Sequence, residues 1–312
     1  MAIDFDSSKR WLGYALLTTV FWGVWGALIE LPEKNGFPAT LGYVVWAITM
    51  IPPCIFALYK IDWKIDFEFK SILFGSLAGL LGAGGQLILF QALRIGPAYL
   101  VFPFISLSPV ITILLATLFL KEKTRKLGWL GIALALLAIP LLSYQEPTNS
   151  EITGKLWIFL SLIVFMAWGI QAYVLRFANE KMHAENIFFY MTVTGLILIP
   201  IALAMTDFTQ SINWGFSGFY SAALIQLLNA IGALSLVYAF RYGKAIVVSP
   251  MTNALAPVIT IILSLLLYSV IPSTPIILGM ILAIAASFLL GVEEETENIS
   301  EVDEKKLVDL NR

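Results

Sequence analysis

Residues 109–113 read Pro-Val-Ile-Thr-Ile, and the same five residues return unchanged at 257–261, about half of the 312-residue chain further on. The match extends upstream, where 92–98 pairs with 239–245 through a shared Ala, Arg, Gly and Ala. A Trp-Gly pair also recurs at nearly the same offset, as Trp22-Gly23 and Trp168-Gly169. Self-similarity at a fixed spacing predicts two copies of one structural unit.

The composition places both copies in a membrane. The chain is 59% hydrophobic and only 13% charged, with a mean hydropathy of +0.86, whereas soluble domains are about 25% charged. The apolar residues form long runs such as 107–120, 127–142 and 255–271. Because a spanning helix needs about 20 mostly apolar residues, the sequence predicts an all-α polytopic membrane protein.

Several classes of function are disfavoured. The single cysteine, Cys54, excludes an intramolecular disulfide, and together with the single histidine, His183, it argues against a metal site. Lys and Arg are scattered between apolar runs rather than gathered in a stripe, so no nucleic-acid partner is expected. No cofactor is predicted. The polar residues 1–10 lead into the first apolar run without a cleavage site, which favours an uncleaved first helix.

Ten apolar segments of spanning length can be drawn, five in each half. The second is the weakest, because Pro52 and Pro53 are expected to bend or end it. The ten segments are approximately 11–30, 38–59, 71–93, 97–119, 126–144, 155–177, 186–206, 217–240, 245–268 and 274–292.

The charges between these segments predict an orientation. With the N-terminus in the cytoplasm, 16 Lys and Arg residues lie inside, and only Lys34, Arg94 and Lys155 lie outside. This is a strong positive-inside bias. Both termini are therefore expected to be cytoplasmic, in the inner membrane of a cell.

An odd number of helices per copy requires the second copy to be inserted upside down relative to the first. Inverted repeats are a recurrent architecture of secondary transporters, because two such halves can exchange conformations. The predicted segments are a cytoplasmic N-terminus (1–10), a first repeat (11–144), a periplasmic linker (145–154), a second repeat (155–292) and an acidic cytoplasmic tail (293–312).

This plan resembles the EamA-type branch of the drug/metabolite transporter superfamily. The resemblance covers about residues 11–292. Its most specific stretch is 92–98, followed by Pro103, Ser108-Pro109 and 119–123, with Gly128 and Gly131 in the fifth helix. The chain departs from the pattern at 268–272, where the family commonly repeats an acidic residue. The resemblance implies a transporter of a small organic solute such as an amino acid, another metabolite, a drug or a sugar.

Prolines at matched positions of the two halves mark candidate helix breaks. A proline inside a helix removes one backbone hydrogen bond, which a membrane tolerates where neighbours or water satisfy the freed carbonyl. Each is either a packing kink or a substrate-site feature. Two arginines lie in matched loops, where each has either a gating role or a packing role at a helix end. The residues are Pro103, Pro109, Pro250, Pro257, Arg94 and Arg241.

Polar and aromatic side chains near mid-span are the candidate substrate contacts. An amide without a partner is costly in hydrocarbon, and Trp usually prefers membrane interfaces. These residues either join helices or line a cavity; for Gln226 with Asn229 and for the three tryptophans, cavity lining is favoured. The set comprises Trp22, Trp25, Gln86, Ser106, Ser108, Trp168, Gln171, Gln226, Asn229 and Asn253.

The middle of every predicted span lacks Asp, Glu, Lys and Arg. A carboxylate-centred proton antiport is therefore disfavoured, unless Glu30 is drawn inward, and an anionic phosphate ester would lack basic partners. The sequence predicts a secondary transporter of a neutral or zwitterionic solute that works by alternating access. A sugar or drug facilitator or exporter, and then a channel, are the alternatives, and an enzyme is not expected.

The remaining features carry less weight. Glu122, between Lys121 and Lys123, is interpreted as a solvated loop residue with a structural role. The expected partners are the solute and the lipid bilayer, and the chain is expected to be a monomer or a homodimer.

Overall fold

The computed structural model describes residues 10–95, 101, 104–144, 155–268, 271–290 and 292. Every regular element in those residues is a helix, as the apolar runs predict. We number the helices in chain order as α1 Arg10–Lys34, α2 Ala39–Lys60, α3 Phe69–Leu93, α4 Phe104–Leu120, α5 Lys126–Leu142, α6 Leu156–Asn179, α7 Ala184–Ala204, α8 Phe216–Tyr242, α9 Ala245–Leu267 and α10 Thr274–Leu290.

Seven of these helices are long and apolar enough to cross a membrane. The other three described helices, α4, α5 and α10, are apolar but shorter, with 10–17 residues each. The prediction of a polytopic all-helical membrane protein is therefore confirmed. The prediction of ten membrane spans stays a prediction for the three shorter helices.

Two helices are interrupted at matched places. In α2, Ile51–Lys60 starts anew after Thr49, with Pro52 and Pro53 in its first turn. In α7, Ile199–Ala204 starts anew after Ile197, with Pro200 in its first turn. Proline is tolerated in a first turn, where its missing N–H would have no helical partner. The expected break in the second segment is confirmed. The break in the seventh was not expected, although Pro200 stands at the offset from Pro53 that the repeat predicts.

The helices that carry the other candidate prolines behave differently from one another. In α4, a turn at Leu107 and Ser108 separates two helical stretches, and Pro109 begins the second of them. Helix α9 instead runs without interruption through Pro250 and Pro257. The helix breaks expected at these two prolines are therefore absent. Pro103 lies outside the described residues.

Packing on α9 explains why it stays continuous. Ala254 and Val258 of α9 belong to one buried cluster with Ala135 of α5 and Ala283 of α10. On another side, Ile259 is pressed against Gly23 of α1. Neighbouring helices can hold a proline-containing membrane helix in place while local adjustments satisfy the freed backbone groups.

The two halves are joined by an exchange of contacts. Helix α1, from the first half, packs mainly on α8 and α9 of the second half. Helix α6, which opens the second half, packs mainly on α3 and α4 of the first half. The first helix of each half therefore lies against the third and fourth helices of the other, and the interface runs through the centre of the molecule.

Candidate functional site

At the centre of the interface, a glycine of one helix lies very close to an isoleucine of the facing helix, and this contact occurs at two places related by the repeat. A Cβ atom added to Gly23 would lie 2.5 Å from the Cβ of Ile259, and one added to Gly169 would lie 2.5 Å from the Cβ of Ile111. Glycine is required at both places because no side chain fits. The two pairs are equivalent in the repeat, so the halves meet through the same surface.

A threonine hydroxyl crosses each of these contacts. Thr260 Oγ1 donates to the carbonyl of Gly23 at 2.9 Å, and Thr112 Oγ1 donates to the carbonyl of Gly169 at 3.0 Å. Both threonines lie in the repeated Pro-Val-Ile-Thr-Ile segment. The repeat itself was the signal for both threonines, although neither belongs to the set of candidate residues.

Two tryptophans of the candidate set form a second matched pair. Trp22 Nε1 donates to the backbone carbonyl of Asn229, and Trp168 Nε1 donates to that of Gly82, both at 3.3 Å. Each indole also lies where a Cβ on a glycine of the facing helix would be, at Gly232 and Gly85. Both indoles are partly buried, so each joins two helices and keeps some accessible surface.

One helical turn further along, the matched positions hold different polar groups. Trp25 Nε1 donates to Gln226 Oε1 at 3.1 Å, and Gln171 Nε2 donates to the carbonyl of Ala78 at 3.1 Å. Gln226 is only 6% exposed. Because its amide oxygen is engaged by an indole in a buried place, Gln226 joins α8 to α1 and has little surface left for a solute.

A chain of hydrogen bonds between polar groups connects α9 to α6 through α4. Asn253 Nδ2 donates to the carbonyl of Ser249 at 2.9 Å, and Ser249 Oγ donates to Thr112 Oγ1 at 3.3 Å. The Thr112 hydroxyl in turn donates a hydrogen bond to the carbonyl of Gly169. Ser249 was missed because a lone serine in a membrane helix carries little signal. The match of Pro103 with Pro250 makes Phe102 the equivalent position in the first half, and phenylalanine has no hydroxyl with which to repeat this hydrogen bond.

The other candidates are spread along the interface. Ser106 Oγ accepts a hydrogen bond from Ser143 Oγ at 3.0 Å, and Ser108 is buried. Gln86 and Asn229 are partly buried, on α3 and α8. Of the ten candidates only Ser108 and Gln226 are buried, and the other eight are partly buried. Among the eight, Trp22, Trp168, Gln86 and Asn229 lie around the matched indole contacts.

Of the two arginines considered for gating, Arg241 is tied to the end of α6. Its guanidinium donates to the carbonyls of Asn179 and Met182. These are carbonyls at a helix C-terminus, which a cation stabilises. The side chain of Arg94 lies outside the described residues.

Glu122 is buried rather than solvated, which corrects the expectation for this loop. It is 8% exposed, and its Oε1 accepts from Arg176 Nε at 2.9 Å. Its Oε2 accepts from the backbone N–H of Ile246 at 3.1 Å, in the first turn of α9. A carboxylate is stabilised at a helix N-terminus by unpaired N–H groups. Burial nevertheless raises the pKa of Glu122 above its usual value, against the lowering effect of these partners.

No cluster of three metal-ligating side chains occurs in the part of the chain that the structure describes. The site is instead built from indoles, amides and hydroxyls at a symmetric helix interface. Such a fold, with two similar halves of membrane-length apolar helices, defines a multi-pass membrane protein of the transporter class.

The chain belongs to the EamA-like transporter family, whose model matches residues 9–144 and again residues 155–292. This confirms the family resemblance and the two-repeat architecture. Because the members of this family are transporters, the chain is a membrane transporter rather than an enzyme.

One relative matches most of the chain, and another matches about one half of it. Protein LicB of Haemophilus influenzae is 28% identical over 295 residues, which cover 89% of this chain and 95% of LicB. An uncharacterized protein of Methanocaldococcus jannaschii is 34% identical over 132 residues, 42% of this chain but 94% of its own length. That relative is therefore about as long as one repeat.

The fold is also similar to that of a protein of known crystal structure. The TM-score is 0.71 at 15% sequence identity, and the match covers 89% of this chain and 95% of the other. A likeness at this identity shows the fold alone.

Proposed function

We propose that this transporter moves a small neutral or zwitterionic organic solute, such as an amino acid or a related metabolite, across the inner membrane by alternating access. The proposal includes ten membrane spans in two inverted repeats, 11–144 and 155–292, and cytoplasmic termini. The solute would contact the accessible members of the interface, foremost Trp22, Gln86, Trp168 and Asn229.

The observation that carries the proposal is the pair of equivalent contacts, Thr260 to Gly23 and Thr112 to Gly169. A contact made identically by both halves keeps its geometry when the halves exchange conformations, so it is suited to be a pivot. In inverted-repeat transporters the solute site lies at this repeat interface, near the membrane midplane. The partly accessible indoles and amides lie next to the two contacts.

The chemistry of these groups supports the choice of solute. Indole faces bind apolar and cationic parts of a ligand, and indole N–H and amide groups supply directed hydrogen bonds. The two charged groups closest to the set in sequence, Glu30 and Arg176, are each in an ion pair, with Lys34 at 2.6 Å and with Glu122 at 2.9 Å. A net anion would find no basic residue at mid-span.

The test is a thermal-stability screen of the purified protein against amino acids, sugars, nucleosides and lipophilic cations. A bound solute raises the melting temperature by mass action. The expected result is a rise with a neutral or zwitterionic solute that is lost in Trp22→Ala and in Gln86→Ala. The control is Trp129→Ala, since Trp129 lies on α5 with 45% of its surface exposed.

Counterflow in vesicles then separates a carrier from a channel. Preloaded unlabelled solute should accelerate uptake of labelled solute, because a carrier exchanges its binding site between the two faces. Flux without counterflow would overturn alternating access in favour of the channel alternative. A solute whose stabilisation survives in both variants would overturn the proposed site.

A further inference from the structure

A groove at the outer edge of the interface lies between α1 and α2 of the first half and α8 of the second half, near the face predicted to be cytoplasmic. Its volume is about 440 Å³, and its wall is apolar along most of its length. The rim residues Leu17 and Phe56 are 41% and 55% exposed, so the groove opens on the outer surface of the helix bundle. In a membrane this surface faces the lipid chains. The wall includes Leu17, Pro53, Phe56, Leu227, Ile231 and Leu234.

The end of the groove is cationic and aromatic. Lys60 Nζ lies 5.1 Å from the ring centroid of Phe56 and 5.2 Å from that of Tyr238. The Tyr238 ring stacks on Tyr14 at 4.9 Å, and its hydroxyl donates to Glu185 Oε1 at 2.6 Å. Within the described residues, no carboxylate lies within 4 Å of Lys60 Nζ. The ammonium therefore lies over ring faces, and no acidic partner contacts it among the residues that the structure describes.

The opposite end of the molecule supplies a comparison. A second groove of about 250 Å³ lies between α3, α6 and α7, at the place related to the first by the repeat. Leu160 and Gln91 occupy the positions that correspond to Tyr14 and Tyr238 in the first groove. No ionisable residue of the described part of the chain lines this second groove. The fold thus produces a groove at both ends, but only one of them carries a cation.

We propose that the groove between α1, α2 and α8 binds an anionic phospholipid. An acyl chain lies along Leu17, Ile231 and Leu234, and the phosphate contacts the ammonium of Lys60. Basic pockets between membrane helices on the cytoplasmic side are suited to anionic head groups. A cationic ligand is disfavoured by Lys60, and a zwitterionic lipid would gain less from it because its own cation offsets the phosphate.

The test is lipid retention by the intact protein, measured by native mass spectrometry with phosphatidylglycerol and phosphatidylcholine. The wild type should retain phosphatidylglycerol in preference. Lys60→Gln should weaken phosphatidylglycerol binding about fivefold and leave phosphatidylcholine binding unchanged. Lys181→Gln is the matched control, because Lys181 Nζ also lies over a ring, 5.5 Å from Phe177, but away from the groove.

A second pair of variants tests the apolar part of the groove. Ile231→Trp should fill it and weaken the binding of phosphatidylglycerol, whereas Leu160→Trp, in the opposite groove, should not. Glycerol 3-phosphate, the head group without acyl chains, should bind much more weakly than the lipid. Equal retention of the two lipids by the wild type, equal losses in both lysine variants, or equal binding of glycerol 3-phosphate would each overturn the proposal. Lipid retention is read without transport, so it is independent of the solute.

Discussion

At the scale of single residues, the two threonines of the repeated segment are equivalent in sequence but not in surroundings. Thr260 donates to the carbonyl of Gly23 across the interface and to that of Ala256 in its own helix, while Thr112 donates to the carbonyl of Gly169 and also accepts from Ser249. Both hydroxyls are placed in a low-dielectric interior. The additional partner places Thr112 in the middle of a chain of hydrogen bonds, and Thr260 has no such chain among the described residues.

We therefore expect Thr112→Val to destabilise the protein more than Thr260→Val. Each loses one interhelical hydrogen bond, worth about 0.6 kcal/mol on average in membrane bundles, but Thr112→Val also leaves Ser249 without its acceptor. Melting temperatures in detergent measure the order. Thr117→Val is the control, because the Thr117 hydroxyl is buried with no partner, so its loss should cost little. An equal loss in all three variants would contradict the prediction.

A second residue-scale prediction concerns Glu122. Because burial raises its pKa above the usual 4.5, the folded state binds the proton of this carboxyl more tightly than the unfolded chain does. The stability from this group is fully present below pH 4.5 and is lost as the pH rises through the raised pKa. Relative to Glu122→Gln, the wild type should lose free energy of unfolding over this range and then level off.

Unfolding measured from pH 4 to pH 8 in both proteins gives this difference directly. Glu180→Gln is the control, since Glu180 approaches the same arginine at 3.5 Å from a more exposed position. A wild type that gains stability over Glu122→Gln as the pH rises would show that the partners outweigh burial.

At the scale of elements, glycines decide how closely the crossing helices approach. Gly23 and Gly169 each lie against a β-branched isoleucine of the facing helix, so backbone and side chain come into direct contact. Small residues at such crossings are the main source of packing energy in membrane bundles, where no hydrophobic force distinguishes a helix from lipid. The candidate polar groups are positioned by these crossings.

Gly23→Ala and Gly169→Ala should each lower stability by about 1–3 kcal/mol, the usual effect of overpacking. The added methyl would overlap with Ile259 or Ile111, and neither helix can move without disturbing the matched threonine bond. Gly84→Ala is the control, because a Cβ there would meet only Leu80 Cδ1 at 3.6 Å. The fraction of folded protein by gel filtration and the melting temperature test this, and intact stability of both interface variants would refute the close approach.

At the scale of the whole molecule, the exchange of contacts between halves relates structure to mechanism. Each half supplies the first helix that the other packs against, and under the proposed alternating access the halves would shift relative to each other without separating. The ion pair of Glu122 and Arg176, with the Ile246 N–H, joins the halves at one face. The equivalent position of Arg176 is Glu30, which cannot repeat this ion pair.

Orientation is the whole-molecule property that the charge bias predicts. Cys54 is buried and is the only cysteine, so a Cys54→Ser background permits single new cysteines. With a membrane-impermeant maleimide, Lys34→Cys should react in right-side-out vesicles and Lys64→Cys only in inverted ones. Both side chains are well exposed, at 69% and 80%. The reverse pattern would invert the topology.

The sequence by itself determined the class of fold and the duplication. Long, uninterrupted apolar runs favour a helix, which satisfies the backbone within the segment in lipid, and the repeated 109–113 segment showed the two halves. It also predicted the break at Pro52 and Pro53, because proline acts on its own backbone. These features depend on local chemistry, which is written in each short stretch of the chain.

Only the tertiary structure decided which polar groups meet. Three sets of contacts join residues that are far apart in sequence. Gln226 is buried against Trp25, Glu122 pairs with Arg176, and a chain of hydrogen bonds runs from Asn253 to Gly169. The continuity of α9 through Pro250 and Pro257 has the same origin, since neighbouring helices support it. Such contacts depend on how helices from opposite halves cross, and the pattern of a single helix holds no record of that geometry.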